Sequence, residues 1–317
     1  MKKIFAIVAG DPVSINSEII AKVWKKLDSK KKSFFLIGNY DLFKFQLNKL
    51  KIDIPLNKLG FDLNNHNYKK LNILDIPINS TNINKKTLNK STKLSLDVAH
   101  MFSKKKLISG FINCPVNKMN MNFKNMGVTE YLAKKCNSYG KEAMVLYGDK
   151  FSVSPITTHI PVKLVDRSIT KKKIIKKIIT INEYYGRFFR KKPKIIVLGL
   201  NPHNGELLKT SQERINIIPA IRYLKKKKLK ISGPVPADTV LVDKRDFDII
   251  VGMYHDQVLP MFKAIHKFDA VNITFGLEYL RMSPDHGTAE KLIYKNKANT
   301  QSLMKCIRLF NKLNDQI

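Results

Sequence analysis

The sequence predicts an α/β fold of two domains, and three observations lead there. Strand-length apolar runs alternate with helix-period segments along the chain, the pattern of a sheet covered by helices. The 317 residues suffice for two such domains, each with its own core. Several apolar runs also end in turns that carry histidine, asparagine or aspartate, and strand ends are where α/β folds bind ligands.

Taken in order, Ile4-Phe5-Ala6-Ile7-Val8-Ala9 is the first strand. Met1-Lys2-Lys3 ahead of it imitates a secretory leader, but the apolar core is short and runs into Gly10-Asp11-Pro12, so a strand is expected. Glu18 to Leu27 is expected to be a helix and Ser33 to Gly38 a second strand. Residues 55 to 90 are rich in Asn, Lys and short apolar groups and predict an irregular stretch. Leu94 to Lys106 reads as a helix feeding the apolar strand before Asn113. Lys171 to Arg190 sets Ile174, Ile175, Ile178, Ile179, Ile181 and Tyr185 on one face with lysines opposite, a surface helix. Ile195 to Leu200 and Phe247 to Met253 are apolar runs of strand length, the second a buried strand. There is no GxGxxG turn, so an ordinary Rossmann domain is not supported.

Composition sets the outer limits. No apolar run approaches the ~20 residues of a membrane span, so no membrane partner is expected. Cys114, Cys136 and Cys306 make an odd count without metal spacing, which fits a reducing cytoplasm. With 58 Lys and Arg against 25 Asp and Glu, the net charge of +33 raises the possibility of nucleic-acid binding. The lysines are spread along the whole chain, however, and no aromatic-interleaved motif accompanies runs such as Lys171-Lys172-Lys173 or Lys225-Lys226-Lys227-Lys228. The 14 glycines, about 4%, fall below an average near 7%. Lys, Asn and Ile in place of Gly, Ala and Arg is what an AT-biased genome writes on any protein. The charge is therefore read as drift on solvated faces that helps to attract anionic ligands, with no specific nucleic-acid partner.

The chemistry concentrates at three histidines. His255 follows the run Phe247 to Met253 within YHDQ (254 to 257), His159 lies in TTHIP, and His203 in NPHNGE after the run ending at Leu200. Three neutral imidazoles converging from strand ends make an open site for a divalent metal. The gaps lack the short spacing of HExxH, so spacing alone leaves open that each histidine only caps a turn.

A resemblance covers nearly the whole chain. THIPVKLV, LNPHNGE, GPVPADT, YHDQVLPMFK and VNITFGLEYLRMSPDHGTA, with AIVAGDP and NCPVNK earlier, resemble the 4-hydroxythreonine-4-phosphate dehydrogenase family in content and order. That resemblance implies an isopropylmalate-dehydrogenase-like α/β fold of two domains with the active site in the cleft between them. The expected division is 1–112 plus 272–317 for one domain and 113–271 for the other. It further implies a homodimer with a metal site shared across the interface, NAD as cofactor, and a small phosphorylated hydroxy amino acid as substrate.

By the same resemblance the ligands of a divalent metal (Zn, Mg or Co) fall on His159, His203 and His255, and the substrate contacts on Thr129, Lys263, Asn272 and Arg281. His286, Gly287 and Thr288 fall in the cofactor-binding loop. The residue types suit the task. Lysine supplies a point charge and arginine a planar fork for phosphate and carboxylate, and an asparagine amide orients a hydroxyl. Asp256, beside His255, is either a group that steadies this ligand or a proton acceptor, and equally a turn carboxylate.

The chain also departs from the family. Its first turn runs Gly10-Asp11-Pro12-Val13-Ser14-Ile15-Asn16-Ser17-Glu18 where the family writes GDPxGIGPE, so Ser14 and Asn16 are expected to adopt backbone suited to glycine. Leu207 and Leu208 stand where glycines are expected, next to His203. Val128 replaces the histidine of the family's GHTE, removing one polar substrate contact. Lys291 replaces an acidic residue after the HGTA loop, which leaves NADP open beside NAD, with Glu290 adjacent. The alternatives are a paralogue acting on a phosphorylated threonate or erythronate, or a basic nucleic-acid-binding protein that has lost turnover.

Overall fold

The computed structural model describes residues 4–78, 83–117, 126–242 and 246–314. The chain divides into two compact units, Met1–Leu132 with Glu278–Ile317, and Ala133–Leu277. Both junctions lie further along the chain than 112/113 and 271/272, because the turn after Asn113 stays with the first unit and Asn272 with the second.

In chain order the first unit opens with β1 (Phe5–Val8), α1 (Asn16–Lys26), β2 (Phe34–Gly38), α2 (Tyr40–Leu50), β3 (Leu56–Leu59), β4 (Leu71–Asp75), α3 (Lys85–Lys104) and β5 (Gly110–Asn113). After α4 (Val128–Lys135) come β6 (Ala143–Tyr147), β7 (Ser152–Thr157), α5 (Val165–Ser168), α6 (Lys171–Phe189), β8 (Ile195–Leu198) and α7 (Ile218–Lys226). The second unit closes with β9 (Ile231–Val235), β10 (Ile249–Tyr254), α8 (His255–His266) and β11 (Val271–Phe275). The chain then returns to the first unit for β12 (Leu280–Pro284) and α9 (Gln301–Asn314).

The strands of the first unit lie in the order β3-β4-β2-β1-β5-β12, every pairing parallel. Parallel strands covered on both faces need continuous apolar runs, and every residue of β1, β2 and β5 is buried. The strand order switches direction at β1 and β5, which puts the turns after Val8 and Asn113 side by side at the carboxyl ends. There the amide of Asp11 donates to the carbonyl of Pro115 at 2.9 Å.

In the second unit the order is β11-β6-β7-β10-β8-β9. β6 runs antiparallel to β11 and β7, while β7, β10, β8 and β9 are mutually parallel. A core of Val153, Ile196, Leu198, Ile250, Val258 and Phe262 fixes α8 against this sheet. At that contact a Cβ on Gly252 would lie 2.5 Å from Val258, so glycine allows helix and strand to close together.

Local chemistry sets the helix limits. Asn39 caps α2 by accepting from Leu42 N at 2.8 Å, and Thr170 caps α6 by accepting from Lys173 N at 3.2 Å. α3 starts nine residues before the expected Leu94, because Asn84 and Thr87 form a reciprocal capping box there. The stretch 55 to 90 is also more regular than its composition suggests. Leu71 to Leu74 is fully packed in β4, and the buried Asn72 is satisfied by Asn57, Asn67 and Lys70. On α6, Lys177 breaks the expected polarity: it is buried and donates to the Glu142 carbonyl, with the Glu142 carboxylate 3.8 Å away.

Cys114, Cys136 and Cys306 are all buried thiols, and burial pushes Cys114 up to about 12, well away from thiolate reactivity. No helix among the described residues is long and apolar enough to cross a membrane.

Candidate active site

The three histidines follow the carboxyl ends of three neighbouring parallel strands. His159 lies two residues beyond β7, His255 is the first residue of α8 directly after β10, and His203 lies five residues beyond β8. Thr157 Oγ1 donates to the Met253 carbonyl at 2.8 Å, tying the ends of β7 and β10 together. As a result the rings of His159 and His255 approach to 5.5 Å between centroids. His255 Nδ1 lies 2.6 Å from Asp256 Oδ1. A carboxylate on Nδ1 fixes the tautomer and leaves Nε2 as the ligating nitrogen, which is how a metal-binding imidazole is oriented.

His203 does not join them. Among the described residues no group of three His, Cys, Asp or Glu side chains is placed to hold a metal, so the expected three-histidine convergence does not occur within one chain. The cause is the loop. His203, Asn204, Gly205 and Glu206 all adopt left-handed backbone, and this turn brings His203 Nδ1 to Glu206 Oε1 at 3.1 Å, both side chains well exposed. Leu208 is exposed with ordinary backbone, so the loop takes its left-handed turn before the position where glycine was expected; the Leu207 side chain lies outside the described residues.

Two residues that sequence reasoning passed over build this end of the sheet. Glu213, fully buried, accepts from the amides of Leu200 and Asn201 at 2.7 and 2.8 Å and so anchors the His203 loop. Burial raises its carboxyl, but the hydrogen bonds from Asn201 and Leu200 outweigh it and hold the group below its ordinary value. Gln257 accepts from Met253 N and donates to the Gly199 carbonyl, both at 2.7 Å, joining β10, α8 and the end of β8. An isolated acid ahead of α7 in so basic a chain was the available signal for Glu213.

Lys263 lies on α8, two turns beyond His255, with its side chain exposed. Asn272 sits on β11 opposite Leu146, half-buried, and its Oδ1 has no hydrogen-bond partner. Buried acceptors are nearly always satisfied, so an orphan carbonyl suits a residue that awaits a hydroxyl donor.

In the first unit, Arg281 and Thr129 are brought together. Arg281 on β12 is 3% exposed; its Nη1 donates to Thr129 Oγ1 at 3.3 Å and its Nε to Asn113 Oδ1 at 2.6 Å. Burial pulls the guanidinium down to about 10, still cationic at neutral pH. Val128, the first residue of α4, is buried.

The turn after β1 is held without the strain expected of it. Neither Ser14 nor Asn16 has a positive φ; Gly10 carries it, at 79°. Ser14 Oγ donates to the Asp11 carbonyl and accepts from Asn16 N, while Asn16 Nδ2 reaches the Pro115 carbonyl at 2.9 Å. Side-chain hydrogen bonds thus replace the missing glycines. Asp11 caps the same turn, accepting from Val13 N and Asn117 N; Lys118 of NCPVNK lies outside the described residues.

The HGTA loop packs on this turn, with Ile15 N donating to the Thr288 carbonyl at 3.1 Å. His286 Nε2 is buried without a hydrogen-bond partner, and a Cβ on Gly287 would meet only open space. Burial lowers the His286 pKa, so the ring is neutral at pH 7. An orphan ring nitrogen beside open backbone fits a loop that receives a polar ligand. Glu290 and Lys291 are both exposed just beyond it.

Two α/β units, the first bearing the buried Arg281 and the second the His159–His255 pair, make this a two-domain, isopropylmalate-dehydrogenase-like α/β fold. Residues 30–310 match the family model described as pyridoxal phosphate biosynthetic protein PdxA, and the chain belongs to this family. It is 37% identical over 312 residues to the 4-hydroxythreonine-4-phosphate dehydrogenase of Sulfurihydrogenibium sp. (strain YO3AOP1), covering 96% of each chain. The crystal structure of 4-hydroxythreonine-4-phosphate dehydrogenase from Klebsiella pneumoniae superposes with a TM-score of 0.86 at 26% identity, over 98% of this chain and 99% of that one. In fold alone, isocitrate dehydrogenase from Methylococcus capsulatus is also similar, with a TM-score of 0.50 at 12% identity over 98% of this chain and 85% of that one.

Proposed function

We propose that the protein catalyses the NAD-dependent, metal-dependent oxidation and decarboxylation of 4-phosphohydroxy-L-threonine in pyridoxal 5'-phosphate biosynthesis, as a cytoplasmic homodimer. The observation that carries this reading is Arg281, a buried guanidinium that donates to Asn113 and Thr129, in a chain whose relatives bear that enzyme's name.

Arg281 supplies a fork and Lys263 a point charge for the substrate's phosphate and carboxylate. Thr129 Oγ1 accepts from Arg281 and can turn its own proton toward the same anion. Asn272, through its unengaged Oδ1, accepts from a substrate hydroxyl and so orients it. His159 and His255 hold a divalent cation (Zn, Mg or Co), with His203 as the third ligand, contributed by the second copy of the chain. Asp256 keeps the His255 ring in the ligating tautomer.

Bound there, the cation supplies Lewis acidity, which lowers the hydroxyl pKa and polarises the ketone that replaces it. Bound at the loop His286, Gly287, Thr288, the dinucleotide supplies the hydride acceptor. The carbinol carbon gives up a hydride and its hydroxyl a proton, leaving a β-keto acid; loss of CO2 then leaves an enolate that is protonated. Asp256, whose side chain is exposed, is alternatively the acceptor of the hydroxyl proton. Lys291 beside Glu290 allows NADP as well as NAD.

A second reading, a paralogue acting on a phosphorylated threonate or erythronate, is favoured by one observation, the buried Val128 where a polar contact is expected. The test is reduced-nicotinamide formation across a panel of phosphorylated hydroxy acids. Highest kcat/KM for 4-phosphohydroxy-L-threonine supports the first reading, and highest kcat/KM for another acid the second.

A further inference from the structure

We infer that Glu213 is a positioning residue for the metal site: its buried carboxylate holds the strained loop that presents His203. The inference rests on the reading of His203 as a ligand of the divalent cation. The loop leaves β8 at Gly199, which is fixed on both sides. Its N–H donates to the Val235 carbonyl at 3.0 Å, and its carbonyl accepts from Gln257 Nε2 at 2.7 Å. Beyond Gly199 the chain leaves the sheet, and four successive residues, His203 to Glu206, take φ between 48° and 61°. Three of them carry a Cβ, for which this left-handed backbone is unfavourable, so the surrounding structure has to hold it. The His203 ring and its partner Glu206 are both exposed, so the ring is placed through the backbone beneath it.

Glu213 supplies that hold. It is fully buried on the turn that leads into α7; its Oε1 accepts from the amides of Leu200 and Asn201 at 2.7 and 2.8 Å, and its Oε2 from Asn201 Nδ2 at 3.1 Å. A Cβ on Gly199 would lie 3.2 Å from Oε1 and one on Gly205 2.9 Å from Oε2, so the loop closes on the carboxylate from both ends. The Asn201 carbonyl in turn accepts from Asn204 N at 3.2 Å, and Asn204 Nδ2 donates to the Pro234 carbonyl at 3.2 Å, which carries the restraint to both sides of His203. The chemical type matters as much as the geometry. These loop groups are all N–H donors, which two anionic oxygens answer in full, whereas an amide offers one acceptor and adds donors of its own. A buried carboxylate is costly unless it is hydrogen-bonded, so loop and carboxylate stabilise each other.

The experiment is Co2+ binding to the chelator-stripped full chain, read by competition with a chromophoric chelator and by the visible absorption of the bound ion, together with thermal unfolding. The proteins are the wild type, His203→Ala and Glu213→Gln. At a temperature where it is folded, Glu213→Gln is expected to bind Co2+ about tenfold more weakly and with an altered spectrum, the order of effect seen when support behind a metal ligand is removed. Unchanged affinity and spectrum in Glu213→Gln, alongside weakened binding in His203→Ala, overturn the inference while leaving His203 as a ligand; a lowered Tm with that result marks Glu213 as purely structural. Unchanged affinity in His203→Ala overturns the reading of His203 itself, and the inference with it. Should Glu213→Gln not fold, Glu213→Asp keeps the charge with a shorter reach and is expected to weaken Co2+ binding in the same way. Unchanged affinity and spectrum in that variant overturn the inference.

Discussion

His159 and His255 bring their ring centroids to 5.5 Å within a single chain, while His203 turns to Glu206 on a left-handed loop. If the metal site is shared between two copies, His203 is the ligand that crosses. Single variants His159→Ala, His203→Ala and His255→Ala are each expected to lose metal-dependent turnover with the fold retained. Mixed dimers of His203→Ala with His255→Ala are expected to recover part of the activity, because one of the two sites then has all three ligands. Mixed dimers of His159→Ala with His255→Ala are expected to recover none. Recovery in the second mixture, with heterodimers verified by native mass spectrometry, contradicts this assignment.

Much of this was legible in the sequence. The strands ending at Val8, Asn113 and Tyr254 appear close to where period and turn chemistry put them, since buried parallel strands need unbroken apolar runs. What local pattern could not give is long-range. Glu213 reaches back to the amides of Leu200 and Asn201, and Asn113 meets Arg281 across 168 positions of sequence. β4 was obscured because its buried Asn72 is satisfied by loop groups that no strand period encodes. The expected strain at Ser14 and Asn16 failed for a similar reason: side-chain hydrogen bonds to Asp11 and Pro115 carry the turn instead.

Val128 separates a weakened enzyme from a redirected one. It is buried at the start of α4, next to Thr129. Val128→His restores a donor there and is expected to improve kcat/KM for 4-phosphohydroxy-L-threonine about ten- to a hundredfold, the effect of one hydrogen bond to a charged group. Packing an imidazole at a valine site is expected to lower Tm at the same time. A fall in kcat/KM for this substrate, in protein that remains folded, favours the paralogue.

Burial lowers the pKa of His286 from its ordinary 6.5 and does the same to His66. Above about pH 6.5 neither form of the chain is protonated at these rings, so they do not affect stability. As the pH falls below that value the unfolded chain binds protons that the folded chain refuses, and stability drops. Tm is therefore expected to decline from pH 7 to 5, with a shallower slope in the His286→Asn, His66→Asn double variant. Glu213, held below its ordinary 4.5, contributes stability that is lost only at still lower pH. An unchanged slope in the double variant assigns the decline elsewhere.

The net charge of +33 is expected to give only unspecific nucleic-acid binding. Lys171 and Lys172 at the start of α6 and Lys225 to Lys228 at the end of α7 are exposed, and contacts of that kind release counterions and weaken steeply with salt. Fluorescence anisotropy with duplex and single-stranded probes is expected to show weak binding that disappears near physiological salt. Sequence-selective, nanomolar binding in that salt contradicts the reading of the charge as drift.

One assay asks directly whether this chain transfers hydride from 4-phosphohydroxy-L-threonine with the help of a divalent metal. Purified protein is stripped with chelator, then mixed with this substrate and NAD or NADP, with and without added Zn, Mg or Co, while reduced nicotinamide and CO2 are followed together. No turnover is expected in stripped protein, and equal amounts of reduced nicotinamide and CO2 are expected once a metal is restored. Full turnover in the stripped protein, or no reduced nicotinamide with every metal and both cofactors, contradicts the proposed function.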